Sequence, residues 1–249
     1  MLTQRKVIED LRRQIERLGG TYSRRAALPF GVPALDRHLP SGGLKLGSLH
    51  EVIESGPASE FAGIATLFTA GIAARLNGLV LWCLTRRDLF APGLAQVGLH
   101  PDRVIFVEPD RDADVLPLVE EGLREKGLGA VVGEVTRLSL TASRRLQLAA
   151  EASGVPSLII RRWWTVAQKD LTSLPTAAST RWRISPIPSE VMPAGGLARG
   201  RWLVELLRCR GAEPYSWILE ACDAQGRLAL PSDVVHGQNP SQIRRSTPG

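Results

Sequence analysis

Residues 46–84 read LGSLHEVIESGPASEFAGIATLFTAGIAARLNGLVLWCL. A short apolar run with Leu49, Val52 and Ile53 enters the turn Ser55-Gly56-Pro57. The pattern then predicts a helix over 59–76, because Phe61, Ile64, Leu67, Phe68, Ile72 and Leu76 surround it almost completely, with Gly and Ala between them. A helix apolar on most faces and lined with small residues is a buried one, packed close to a sheet. Asn77-Gly78 stops it, and a second apolar run covers 79–84. This is a strand–turn–helix–strand unit with a glycine turn where nucleotide-binding proteins hold phosphate.

The chemistry of that turn is incomplete. A working phosphate loop reads GxxxxGKS or GxxxxGKT, its Lys reaching the β- and γ-phosphates and its hydroxyl binding Mg²⁺. Here the stretch is GPASEFAG, with Ala62 in the Lys place and Gly63 in the hydroxyl place. Thr66 stands one helical turn further on and would need a shifted register. Gly56, Ser59 and Glu60 therefore mark a degenerate phosphate position whose helix N-terminus could hold an anion weakly. Ser59 reads equally as a helix cap, with Glu60 in the first turn.

Outward from this unit, apolar runs at 104–107, 130–135 and 157–160 alternate with helical patterns at 112–126 and 141–153. That rhythm predicts a parallel sheet with crossover helices in a three-layer α/β core. Past Arg161 the rhythm changes. Runs at 182–185, 201–208, 215–221 and 227–230 have no crossing helix between them, so antiparallel strands are expected at one edge. Residues 3–18 carry a helical stripe of Val7, Ile8, Leu11, Ile15 and Leu18. The expected division is an N-terminal helix and linker at 1–27, a core at 28–235 and a disordered tail at 236–249.

With 249 residues the chain is long enough for one sizeable core. No apolar run approaches the ~20 residues that span a bilayer, and the N-terminus lacks a signal-peptide core. Cys83, Cys209 and Cys222 are far apart and form no CxxC, which argues against a metal site or a disulfide framework. The expected compartment is the cytoplasm, without membrane attachment. Net charge is +6, but residues 31–155 hold 12 basic against 15 acidic groups. The two flanks are basic, with 7 against 3 over 1–30 and 12 against 7 over 156–249. Such asymmetry suits an acidic partner, nucleic acid above all; an Arg-rich solvated surface explains it equally well.

Two further groups are candidates. Glu134 ends the 130–135 run, where a nucleotide hydrolase would keep a metal-binding acid. Without Lys or hydroxyl partners it reads as a structural ion pair, with Arg144 or Arg145 in reach. The basic-aromatic set Arg161, Arg162, Trp163, Trp164, Lys169, Arg181 and Arg183 combines phosphate-binding and base-stacking side chains. Trp182 and Trp202, alternating with arginines, fit half-buried strands instead. After 79–84, where a hydrolase of this kind keeps a carboxylate, Thr85-Arg86-Arg87 offers no general base.

The segments "LD…GGL…G…HEV", WC at 82–83, DLFAPGLAQVGLHPDRVIFV at 88–107, LGAVVGEV at 128–135 and LTASRRLQLAAEASGVPSLIIR at 140–161 carry a resemblance. The order of features is similar to the RecA-like recombinase core. More specifically, the chain resembles the ImuA family across about 28–235. That resemblance implies an SOS-induced accessory role in mutagenic translesion DNA synthesis. The implied partners are an ImuB-like polymerase-fold protein, an error-prone replicative-type DNA polymerase and, more distantly, RecA and single-stranded DNA. It also makes the basic-aromatic region the place of DNA-contacting loops.

Three function classes follow: a non-catalytic adaptor, with no cofactor expected; a weak ATP-dependent, recombinase-like DNA-binding protein; and a cell-division inhibitor with a RecA fold. Missing Lys, hydroxyl and carboxylate favour the first.

Overall fold

The computed structural model describes residues 27–125, 127–165, 168, 173–189 and 199–231. The expected helix at 3–18, Lys169 and the tail from 236 lie outside the described residues. Two short strands, β1 (Ala27–Leu28) and β2 (Leu44–Lys45), pair antiparallel at the entrance to the core. Between them lies a four-residue helix, α1 (Pro33–Asp36). β3 (Leu49–Glu54) then leads through the glycine turn into α2 (Ala58–Ala74) and β4 (Leu79–Cys83). There follow α3 (Ala91–Gln96), β5 (Val104–Val107), α4 (Asp112–Gly122), β6 (Leu128–Val135), α5 (Leu140–Ser153) and β7 (Ser157–Arg161). Three strands close the chain: β8 (Thr180–Ile187), β9 (Arg201–Cys209) and β10 (Tyr215–Glu220).

The main sheet has eight strands in the order β10-β9-β8-β3-β7-β6-β4-β5. The five strands from β3 to β7 pair parallel, as their helical connections require. β8 departs from expectation, because it lies parallel to β3, with His50 opposite Thr180 and Glu54 opposite Ile184. Only β8–β9 and β9–β10 are antiparallel. The long connection after β7 carries the chain back to the start of the sheet, which a direct hairpin return could not do. The expected run at 227–230 is reduced to one bridge, Glu220 with Ala229.

Both faces are covered, so β3 is buried along its whole length. On one face α2 and α3 pack against Val52, Val80, Trp82, Val132, Leu158, Ile160 and Trp182. On the other, α4 and α5 pack against Leu49, Cys83, Val131, Val135 and Ile159. The C-terminal strands extend the first core with Trp202 and Trp217, and Trp182 lies 6.0 Å from Phe68 and 6.4 Å from Trp217, ring to ring. Trp182 and Trp202 are core residues, as their alternation with arginine suggests, and Trp217 is buried with them. Among the described residues no helix is long and apolar enough to cross a membrane.

Candidate functional site at the carboxyl ends of the parallel strands

In α/β sheets ligand sites form beyond the carboxyl ends of the strands. Here those ends bring together residues far apart in the chain. The glycine turn comes first. Helix α2 begins at Ala58 with Pro57 in the capping position, so the backbone of Ser59 lies inside the first turn, one residue past the start. The aromatic ring of Phe61 lies against Gly56: a Cβ built there would stand 2.2 Å from two ring carbons. The bare glycine thus receives a ring from the protein itself.

The acidic groups come next. Glu134, at the end of β6, is 4% exposed. Its carboxylate accepts a hydrogen bond from Trp82 Nε1 at 2.7 Å and pairs with Arg162 Nε at 2.5 Å. The partner is therefore Arg162, while Arg145 pairs with Glu120. Arg162 reaches further. Its Nη1 is 3.5 Å from Asp88 Oδ2, its Nη2 donates to Thr66 Oγ1 at 3.4 Å, and its Nε is 3.9 Å from Glu54 Oε1. One buried guanidinium is surrounded by three carboxylates and a hydroxyl. Burial raises the Glu134 carboxyl above its ordinary range and carries Glu54 up to about 8. Neither oxygen of Glu54 has a hydrogen-bond partner among the described residues. Burial works against the Arg162 charge, but Glu134, Asp88 and Glu54 outweigh it and raise its pKa.

A second ionic cluster occupies the opposite face. Arg161 Nη1 pairs with Glu51 at 3.2 Å, and Arg181 Nη2 pairs with the same carboxylate at 3.3 Å. Thr176 donates its hydroxyl to Glu51, and Arg161 donates to the Thr136 carbonyl. Arg181 also donates to the Leu174 carbonyl at 2.7 Å, Arg208 to Thr176 O at 2.6 Å and Arg210 to Ala177 O at 2.7 Å. Arginines on β8 and at the end of β9 thus hold the connection that enters β8. Successive strand residues point to opposite faces, and this sends Arg161 and Arg162 to different clusters.

The expected DNA-facing set is therefore largely internal. Arg161, Arg162, Trp163 and Arg181 are all buried, and Arg183 forms a two-pronged pair with Glu205 at 2.6 and 2.8 Å. Trp164 alone of the described aromatic pair is half-exposed, and the Arg86 guanidinium stacks on its ring at 4.0 Å. Beside them is a polar cavity of about 160 Å³, lined by Thr85, Arg86, Asp112, Glu134, Thr136 and Arg162 among others. Sequence reasoning missed Glu51 and Glu54. Their signal was available: two acids inside LHEVIE, a strand apolar enough to be buried on both faces, require internal cations.

The residues do not fit a Mg²⁺-nucleotide. There is no Lys or hydroxyl at 62 and 63, and the Glu134 carboxylate is already engaged. Among the described residues no three His, Cys, Asp or Glu side chains are spaced to share a metal ion.

Comparison with known proteins gives the kinship of this scaffold. No family model matches the sequence. A crystal structure of the RadB recombinase superposes with a TM-score of 0.57 at 18% identity, over 82% of this chain and all of that one. The fold is thus RecA-like. Protein ImuA of Caulobacter vibrioides, in strains NA1000 and ATCC 19089, is 40% identical over 213 residues, 82% of this chain and 87% of that protein. With that identity over more than four fifths of both chains, the protein belongs to the ImuA family.

Proposed function

We propose that the protein is a non-catalytic RecA-like adaptor in SOS-induced translesion DNA synthesis. The observation that carries this reading is the turn at Gly56, packed by the Phe61 ring and followed by Ala62 and Gly63 in place of Lys and hydroxyl. Catalysis of phosphoryl transfer is almost entirely positioning and electrostatics, so losing the cation and the metal ligand removes it. The implied partners are an ImuB-like polymerase-fold protein and an error-prone replicative-type DNA polymerase, with RecA as a further candidate. Contact is made through protein surfaces, because the arginines expected to meet DNA serve the interior.

Two measurements test this. Calorimetric titration with Mg²⁺-ATP is expected to give no saturable heat; micromolar binding that disappears in Gly56→Val would favour the weak ATPase reading instead. Affinity capture of the tagged protein after DNA damage is expected to recover a polymerase-fold protein. Recovery of cell-division proteins alone would favour the inhibitor reading.

A further inference from the structure

We infer that the cleft at the far end of α2 from the glycine turn is an anion site, shaped for a small phosphate monoester. Its volume is about 580 Å³, within the range of small-molecule sites. It is lined by the stretch from Leu28 to Gly31, by Arg75 at the C-terminal cap of α2, and by Gln225 and Arg227 from the loop after β10. Two guanidiniums share this opening, and no carboxylate lines it.

The acids nearby are already engaged. Asp36 accepts hydrogen bonds from the backbone N–H groups of Phe30, at 2.6 Å, and Gly31, at 2.9 Å. Asp223 accepts from those of Gln225 and Arg227, at 2.9 and 2.8 Å. Among the described residues neither Arg75 nor Arg227 forms an ion pair with a carboxylate. Arg75 donates to the Pro29 carbonyl at 2.6 Å, and its Nε is buried without a partner. The carbonyls of Ala74, Leu76 and Gly78, where α2 ends, are taken by Arg103. Burial lowers the Arg75 pKa and Arg227 lowers it further, against Cys222, Asp36 and Asp223. An anion between the two guanidiniums offsets that cost.

Two arginines from separate elements call for more than one negative charge. A phosphate monoester carries about −1.5 to −2 at pH 7, where a carboxylate carries one, and guanidinium forks match its oxygens. The cleft is larger than a phosphate group alone, which leaves Leu28 and Pro29 to meet the organic part of the ester. Arg227 is placed in advance, since Asp223 holds its backbone N–H and Arg199 donates to its carbonyl. The site uses neither Gly56 nor Mg²⁺ and does not depend on the adaptor reading. Mg²⁺-ATP heat that vanishes in Gly56→Val overturns the adaptor and leaves the cleft standing.

The experiment is an NMR titration of the ¹⁵N-labelled full chain with inorganic phosphate and with ribose 5-phosphate, at pH 7 and constant ionic strength. Amide shifts are expected around Leu28 to Gly31, Arg75 and Gln225 to Arg227, with a Kd of about 1 mM for phosphate and tighter binding of the ester. Arg227 is exposed, and Arg227→Gln is expected to keep the fold while weakening the ester about tenfold. Arg144→Gln, at an exposed arginine of α5, is expected to change nothing. Shifts scattered over the surface arginines, an equal loss in Arg144→Gln, or an unchanged Kd in Arg227→Gln overturns the inference. So does an ester that binds no tighter than inorganic phosphate, the mark of an adventitious ion only.

Discussion

Glu51 has no exposed surface and lies between two guanidiniums. Replacing it with Ala leaves Arg161 and Arg181 facing each other in a dry interior, and the expected loss is about 3–5 kcal/mol in urea unfolding. A triple replacement of Glu51, Arg161 and Arg181 by apolar residues should lose much less, since no stranded charge remains. His50 and Glu54 make opposite contributions to the pH dependence. His50 is fully buried, with Nδ1 at 2.7 Å from Thr180 Oγ1 and Nε2 at 2.8 Å from Lys45 O, and burial takes it from 6.5 down to about 4. The unfolded chain therefore binds the extra proton between those values. The His50 contribution is whole above 6.5 and is lost as pH falls toward 4. Glu54 is raised from 4.5 to about 8, so its contribution is whole below 4.5 and is lost as pH rises toward 8. Urea midpoints taken across this range should show a flatter acid limb in His50→Gln and a flatter neutral limb in Glu54→Gln.

At the level of the element, the glycine turn and helix α2 are set by close approach. Gly56→Ala forces the Phe61 ring aside and is expected to destabilise by about 1–3 kcal/mol. Phe61→Ala in the same chain should absorb most of that strain, giving a double-mutant coupling well above the additive baseline. Much of this architecture was legible. The all-round apolar pattern of 59–76 announced a buried helix, and the alternating runs announced β4 to β7. β8 was not legible as a parallel strand, because the connection at 162–179 carries no helical periodicity to mark a crossover. The helix Ala91–Gln96 was also missed, since six residues give too little pattern. Of the candidate site the sequence displayed only that Ala62 and Gly63 stand where a phosphate loop has Lys and a hydroxyl. Its contents were hidden because Glu54, Thr66, Asp88, Glu134 and Arg162 meet only through the sheet order. Arg161-Arg162-Trp163-Trp164 misled for a related reason: composition suits nucleic acid, but a strand covered on both faces draws the residues just after it inward.

For the whole molecule, β3 is the axis, flanked by the parallel strands β7 and β8, with β5 and β10 at the margins of the sheet. Hydrogen exchange followed by mass spectrometry should therefore show slowest exchange in β3 and β7 and fastest in β5 and β10. The arginines of β8 and β9 act mainly as internal fasteners, which bears on charge as well. Charge reversal at Arg161 is expected to lower the urea midpoint while leaving the salt dependence of any single-strand DNA binding unchanged. One consequence belongs to folding fidelity. The apolar part of β7, Leu158 to Ile160, is buried among apolar neighbours on both faces, and a strand of that kind has little in its pattern to fix its alignment. The paired arginines at its end supply what the pattern lacks. A slip of one residue would carry each guanidinium away from its own acids and through to the opposite face. Consecutive like charges, each with a counter-charge on a different side, thus act as a two-sided key for strand alignment. With Met at both positions the protein should still compact, yet show doubled amide resonances along β7 from two coexisting alignments.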